Sequence, residues 1–129
     1  MKEGDSFVHT FTVTPATHAG FIDIFRDRNP LHTNALFAQG KGFRGEVMHG
    51  NILNGFISYF IGECLPTKDV IIHAQTIKFS LPVYMNDELE FTARIVGFFE
   101  SVRTYEFKYS FKNKDGKTVA KGEIQIGLI

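Results

Sequence analysis

Asp27 and His32 stand five positions apart with Asn29-Pro30 between them. In a continuous helix that spacing would leave the two side chains on different faces. Proline drives the residue before it out of the helical region, so a break here lets the histidine fold back towards the carboxylate. A carboxylate and an imidazole within reach of one water can orient it and exchange its protons near neutral pH. The same residues also suit a plainer arrangement, a helix end capped by a histidine. Spacing alone leaves both open.

His49-Gly50 stands directly before the strongest helical pattern in the chain. Backbone amides at a helix start are unpaired and can hold developing negative charge. Gly50 has no side chain to obstruct an approaching carbonyl, although a glycine at such a boundary can also be merely permissive. The other histidines are less suggestive. His9 falls in a strand and His18 in a helix, neither with an evident partner, and both are expected to be surface or packing residues. His73, in a strand, is expected to be packed or pocket-lining. No spacing among the five histidines and the single cysteine matches a metal site, so no metal and no cofactor is expected.

These residues need elements to hold them. Phe7 to Val13 reads as a strand. Thr14-Pro15 then opens a helix, with a hydroxyl at the N-cap and proline in the first position. Its apolar face is Phe21, Ile22 and Phe25, and Asn29-Pro30 is expected to end it. A short helical turn follows from Asn34 to Ala38, then a glycine-marked loop at Gly40, Gly42 and Gly45. Ile52, Leu53, Phe56, Ile57, Phe60, Ile61 and Cys64 recur at helical spacing and predict one long apolar helix closed by Pro66. Asn51, Gly55, Ser58 and Gly62 form a small or polar stripe along it, open to a ligand or another backbone. From Val70 the pattern turns to strands: Val70 to Ser80, Glu88 to Phe98, Arg103 to Phe111 and Thr118 to Leu128. Asn86-Asp87 and Asn113-Lys114-Asp115-Gly116 mark turns between them. An antiparallel sheet wrapped around one long central helix accounts for this order, an α+β fold.

The bulk properties narrow the function. A length of 129 residues suits one domain, residues 1–129, and no repeat or linker interrupts it. Fourteen phenylalanines and no tryptophan suggest a core of rigid aromatic rings. The formal net charge of zero lacks the basic excess of a nucleic-acid binder. Cys64 cannot form an internal disulfide and is expected to be a buried thiol. There is no signal-peptide arrangement and no apolar run near the roughly 20 residues that span a bilayer. A soluble cytoplasmic protein, with neither nucleic acid nor membrane as partner, is the expectation.

Taken together, Phe25-Arg26-Asp27-Arg28-Asn29-Pro30-Leu31-His32, then Ala35, Phe43 and Val47-Met48-His49-Gly50-Asn51-Ile52-Leu53, resemble the MaoC-like (R)-specific enoyl-CoA hydratases. Phe79-Ser80-Leu81-Pro82-Val83 and Asp87-Glu88-Leu89 extend the resemblance over nearly the whole chain. It implies a hot-dog fold and a homodimer, or larger homo-oligomer, made by joining two sheets. It implies Asp27 and His32 as the catalytic pair and the amide of Gly50 as the oxyanion donor. Asn29, His49 and Ser58 fall at substrate-binding positions, Asn29 supporting the pair and Ser58 lining the acyl pocket. The implied reaction is hydration of an enoyl thioester of coenzyme A or acyl carrier protein, or the reverse dehydration, within fatty acid metabolism.

Three positions depart from that family. Arg26 replaces the small residue usual before the aspartate, Asn34 an aspartate, and Asn86 a glycine. Arg26 could pair with Asp27, bind a carrier phosphate or reach solvent. Two other functions share the fold. A thioesterase wants a carboxylate on the central helix, and none lies between Asn51 and Ile61. A non-catalytic acyl-thioester-binding module is favoured by Arg26 and disfavoured by the presence of both Asp27 and His32.

Overall fold

Five antiparallel strands form one sheet in the order β1-β3-β4-β5-β2. The computed structural model describes residues 1–129, with β1 at Ser6–Thr12, β2 at Val70–Phe79, β3 at Glu88–Phe99, β4 at Thr104–Lys112 and β5 at Thr118–Leu128. Strict alternation sets the buried face. In β3 Leu89, Phe91, Ala93 and Ile95 point inward while Glu88, Glu90 and Arg94 face water, and β4 buries Tyr105, Phe107, Tyr109 and Phe111 in the same way. Register carries this across the sheet, with Phe91 opposite Phe111 and Phe107 opposite Ile124.

Against that face lies α4, Asn51–Tyr59, which continues as a wider π-helical turn over Phe60–Cys64. Ile52, Leu53, Ile57, Phe60 and Ile61 are buried in the sheet's hollow. Each such side chain contributes about 1.5–3 kcal/mol through removal from water. Phe60 is the hub of an aromatic cluster, its ring 4.8 Å from Phe91 and 5.7 Å from Phe7. The expected α+β hot-dog arrangement is therefore present, with three further helices beside the central one: α1 at Pro15–Phe25, α2 at Pro30–Thr33 and α3 at Ala35–Gly40. Cys64 is only half-buried, at the edge of the core.

The turns follow their residues. Asn86 adopts the left-handed conformation at φ 68°, and Gly116 does so at φ 72° in the hairpin between β4 and β5. One expectation fails. Asn29-Pro30 does not end α1, which already stops at Phe25. Arg26 turns left-handed at φ 64° and its N–H closes on the Ile22 carbonyl at 2.8 Å. Asn29-Pro30 instead opens α2, with extended Asn29 as N-cap and Pro30 in the first helical position.

Candidate active site

The Asp27 turn is built by caps at both ends. Behind it, α1 starts on Thr14, whose hydroxyl accepts from the Thr17 amide at 3.1 Å, and finishes on left-handed Arg26. Ahead of it, Asn29 Oδ1 accepts from the Leu31 amide at 2.9 Å and starts α2. Asn29 also donates its own main-chain N–H to Asp27 Oδ1 at 3.1 Å, so the cap residue orients the carboxylate.

Three imidazoles surround this turn. His32 donates from Nδ1 to the Val47 carbonyl at 2.7 Å. A carbonyl can only accept, so Nδ1 carries the proton and the neutral ring keeps its lone pair on Nε2. That Nε2 lies 3.9 Å from Asp27 Oδ2. Two acceptors at this separation subtend about a right angle at a water about 2.8 Å from each, close to the angle between a water's own bonds. His49 is buried, 3 % exposed, and donates from Nε2 to the main-chain carbonyl of Asp27 at 2.9 Å. Its Nδ1 has no partner. Burial is the main cause that pushes the His49 pKa below the ordinary imidazole value, and the neighbouring His32 and His18 rings push the same way. The bond to the Asp27 carbonyl and the nearby carboxylate oppose the shift without overcoming it. His49 is therefore a neutral ring that fixes the backbone of Asp27. The third imidazole, His18, donates from Nε2 to the carbonyl of His32 at 2.9 Å.

Gly50 precedes α4, and its amide has no acceptor within the chain. A Cβ placed there would come within 2.9 Å of the Phe79 ring, so close approach of that ring is what calls for glycine. Asp27, His32, His49 and Gly50 all line one cavity of about 520 Å³, walled by Phe21, Val47, Met48, Phe79 and the segment from Ser80 to Val83. Asp27 is the one carboxylate in that wall. A second, more open cavity of about 840 Å³ runs between α1 and α4, past Gly20, Ile24, Gly55 and Phe56. The two share Phe21, Asp27, Asn51 and Ile52.

Four of the six residues singled out in the sequence thus meet around one space. Asn29 lies beside it as the cap that holds Asp27. Ser58 does not join them; it is exposed on α4 and lines neither cavity. Arg26 does not pair with Asp27, since its Nε donates to the Asp23 carbonyl at 3.1 Å. For His18 the sequence suggests a surface or packing residue with no evident partner. It is 7 % exposed and has a specific partner fourteen residues on, a contact made by chain reversal that no local spacing announces. His9 is half-buried beside Phe11, and exposed His73 sits over Gly127, far from any role here.

Asp27, His32 and His49 bring ligand-type atoms within 4.8 Å of one another. The donor set does not suit a metal. The His49 Nε2 on the Asp27 side is committed as a proton donor, and the His32 and His49 rings stack, so their in-plane lone pairs run alongside each other instead of converging.

A family model described as the MaoC like domain matches residues 2–117. An (R)-specific enoyl-CoA hydratase of Rhodospirillum rubrum is 30% identical over 126 residues, covering 98% of this chain and 87% of that protein. A mitochondrial 3-hydroxyacyl-[acyl-carrier-protein] dehydratase of Arabidopsis thaliana is 26% identical over 126 residues, covering 95% of this chain and 75% of that one. The solved (R)-hydratase of A. caviae superimposes with a TM-score of 0.92 at 26% identity, covering 100% of this chain and 98% of the other. With a sheet-wrapped helix, a capped aspartate turn and a family match over most of its length, this chain belongs to the MaoC-like domain family.

Proposed function

We propose that the protein adds water to trans-2-enoyl thioesters to give (R)-3-hydroxyacyl thioesters, or runs the reverse dehydration, with the thioester on coenzyme A or acyl carrier protein. The observation that carries the reading is the 3.9 Å separation of His32 Nε2 and Asp27 Oδ2 in the same cavity as the unpartnered Gly50 amide. The R. rubrum and A. thaliana relatives are named for these two reactions.

In this mechanism a water donates to both Asp27 and His32. Its oxygen bonds to the β-carbon while its proton passes to the pair, and the pair returns one proton to the α-carbon. Both new bonds form on the face of the alkene that looks at Asp27 and His32. Negative charge gathers on the thioester oxygen between these events. The Gly50 amide and the positive end of α4 receive it, in a largely apolar wall. Asn29 orients Asp27, and His49 holds its backbone. The two connected cavities leave room for an acyl chain on one side of the reacting carbons and the carrier arm on the other. Ser58 belongs to that acyl path only if a further surface closes over it.

Such a surface is supplied by a second copy. The β2 edge is exposed along its length, with Ile71 and Ile72 open to water, and an unpaired apolar edge of this kind invites pairing with its symmetry mate. We place the homodimer there. No helix is long and apolar enough to cross a membrane, and with one cysteine the chain suits the reducing cytoplasm.

The test is loss of the conjugated absorbance of crotonyl-CoA on adding purified protein, with Asp27→Asn and His32→Ala alongside. Turnover that collapses in both variants is expected. No turnover with crotonyl-CoA, longer chains or carrier-protein thioesters would sink the reading.

A further inference from the structure

Every ring N–H of the three clustered histidines goes to a main-chain carbonyl of the active-site walls. His49 holds Asp27, His32 holds Val47, and His18 holds His32 itself. The first two belong to the proposed chemistry. His18 lines neither cavity, so it cannot meet substrate, yet it is an imidazole buried where an aliphatic side chain would fit the apolar face of α1 at lower cost.

We propose that His18 is a positioning residue for the reaction, holding His32 in register with Asp27 through the His32 carbonyl. Its 2.9 Å bond is the side-chain hydrogen bond that carbonyl receives. The adjoining helix α2 has only four residues, and its N–H groups turn back to Asn29 and Pro30: His32 to the Asn29 carbonyl and Asn34 to the Pro30 carbonyl. The Thr33 hydroxyl ties the next residue to the Arg28 and Asn29 carbonyls, both at 3.2 Å, but no donor of so short a helix reaches the His32 carbonyl itself. His18 fixes it from α1, a helix of eleven residues capped at both ends. The ring of His32 is then pinned at Nδ1 by Val47 and at its backbone by His18, and Nε2 is left facing Asp27. Without His18, a peptide left unsatisfied in a half-buried place would rotate to find a donor and carry the ring with it.

The assignment rests on the reading of His32 as part of the catalytic pair. Its test uses three replacements. Glutamine carries an amide nitrogen at about the reach of imidazole Nε2, asparagine carries one only as far as Nδ1, and leucine carries none. His18→Leu and His18→Asn are expected to lower kcat about tenfold, the scale of a small misplacement of a reacting group, and to leave KM within about twofold. His18→Gln is expected to recover kcat to within about threefold of wild type, since a donor at the right reach is what matters. The ring nitrogen signals of His32 in ¹⁵N NMR, recorded without substrate, should shift with leucine and asparagine and return with glutamine. A purely structural role would make stability, not donor reach, the variable that kcat follows. Equal kcat in all three variants, or unmoved His32 signals in His18→Leu, overturns the proposal. Should His18→Leu fail to fold, glutamine against asparagine decides alone. A wild-type protein that turns over no enoyl thioester would defeat the hydratase reading instead, and the His32 signals would still judge His18.

Discussion

The rings of His32 and His49 stack with centroids 3.9 Å apart and planes inclined by 29°, while their N–H groups secure two different carbonyls, those of Val47 and Asp27. Two charged rings at that distance would repel strongly, and burial decides which one stays neutral. His49 is the one kept uncharged. His32 is the less buried of the two and turns its Nε2 towards Asp27.

That division has a consequence for stability. The His49 pKa is lowered in the folded protein from 6.5. Below pH 6.5 the unfolded chain therefore binds more protons than the native one, and stability rises with pH in that window. Full stability is expected above pH 6.5, with a decline as pH falls towards the native value and a plateau beneath it. The urea midpoint followed from pH 7.5 to about 5 should show this, and the slope should be shallower in His49→Asn. Equal slopes would mean that His49 is not a source of the acid sensitivity.

Much of this was legible in the sequence, for identifiable reasons. Strand alternation in β3 to β5, the helical spacing from Ile52 to Cys64 and the Thr14-Pro15 start are local signals, and each appears where its residues place it. Asp27 and His32 were legible because Asn29-Pro30 announces a chain break between them. The first helix nonetheless stops before that pair, at Phe25. A left-handed arginine ends α1, and arginine gives no warning of that conformation as glycine would. His18 was illegible because its partner is brought to it by folding. His49 was legible as a neighbour of Gly50, while its bond to the Asp27 backbone, twenty-two residues away, was not.

Arg26 can be tested directly. A non-glycine residue at φ 64° bears strain of about 1–2 kcal/mol, of which glycine's greater freedom in the unfolded chain returns roughly 0.5–1. Arg26→Gly should therefore raise stability by about 0.5–1 kcal/mol, and Arg26→Val should lower it. Thermal melts of the two variants check the sign. Because Arg26 bonds to the Asp23 carbonyl and not to Asp27, turnover by Arg26→Gly should stay close to wild type.

Gly50 offers a paired test. Gly50→Ala would bring a methyl group within 2.9 Å of the Phe79 ring, so the ring or the start of α4 must yield. Loss of kcat on the order of tenfold or more is expected if the amide is displaced from the thioester oxygen. Phe79→Ala in the same chain removes the obstacle and should recover part of the loss. A double variant no better than Gly50→Ala would show that the methyl group harms turnover by another route.

The β2 edge predicts assembly. Glutamates at both Ile71 and Ile72 would set like charges against their symmetry mates across a β2–β2 pairing, which is destabilising. Light scattering should report two chains for wild type and one for the double variant. Two chains in both cases would move the interface away from β2.

The grip on the aspartate turn bears on how the protein can change over generations. All three histidines hold the chain by main-chain oxygens, and none holds it by a side chain of the turn. A carbonyl is common to every residue, so substitution at its own position does not remove it. The exposed side chains of Arg26, Arg28 and Leu36, close in sequence to Asp27 and His32, can then drift, altering surface charge and shape, while the inner geometry is inherited unchanged. Random change in that outer surface is then tolerated, with selection guarding only the few rings beneath it.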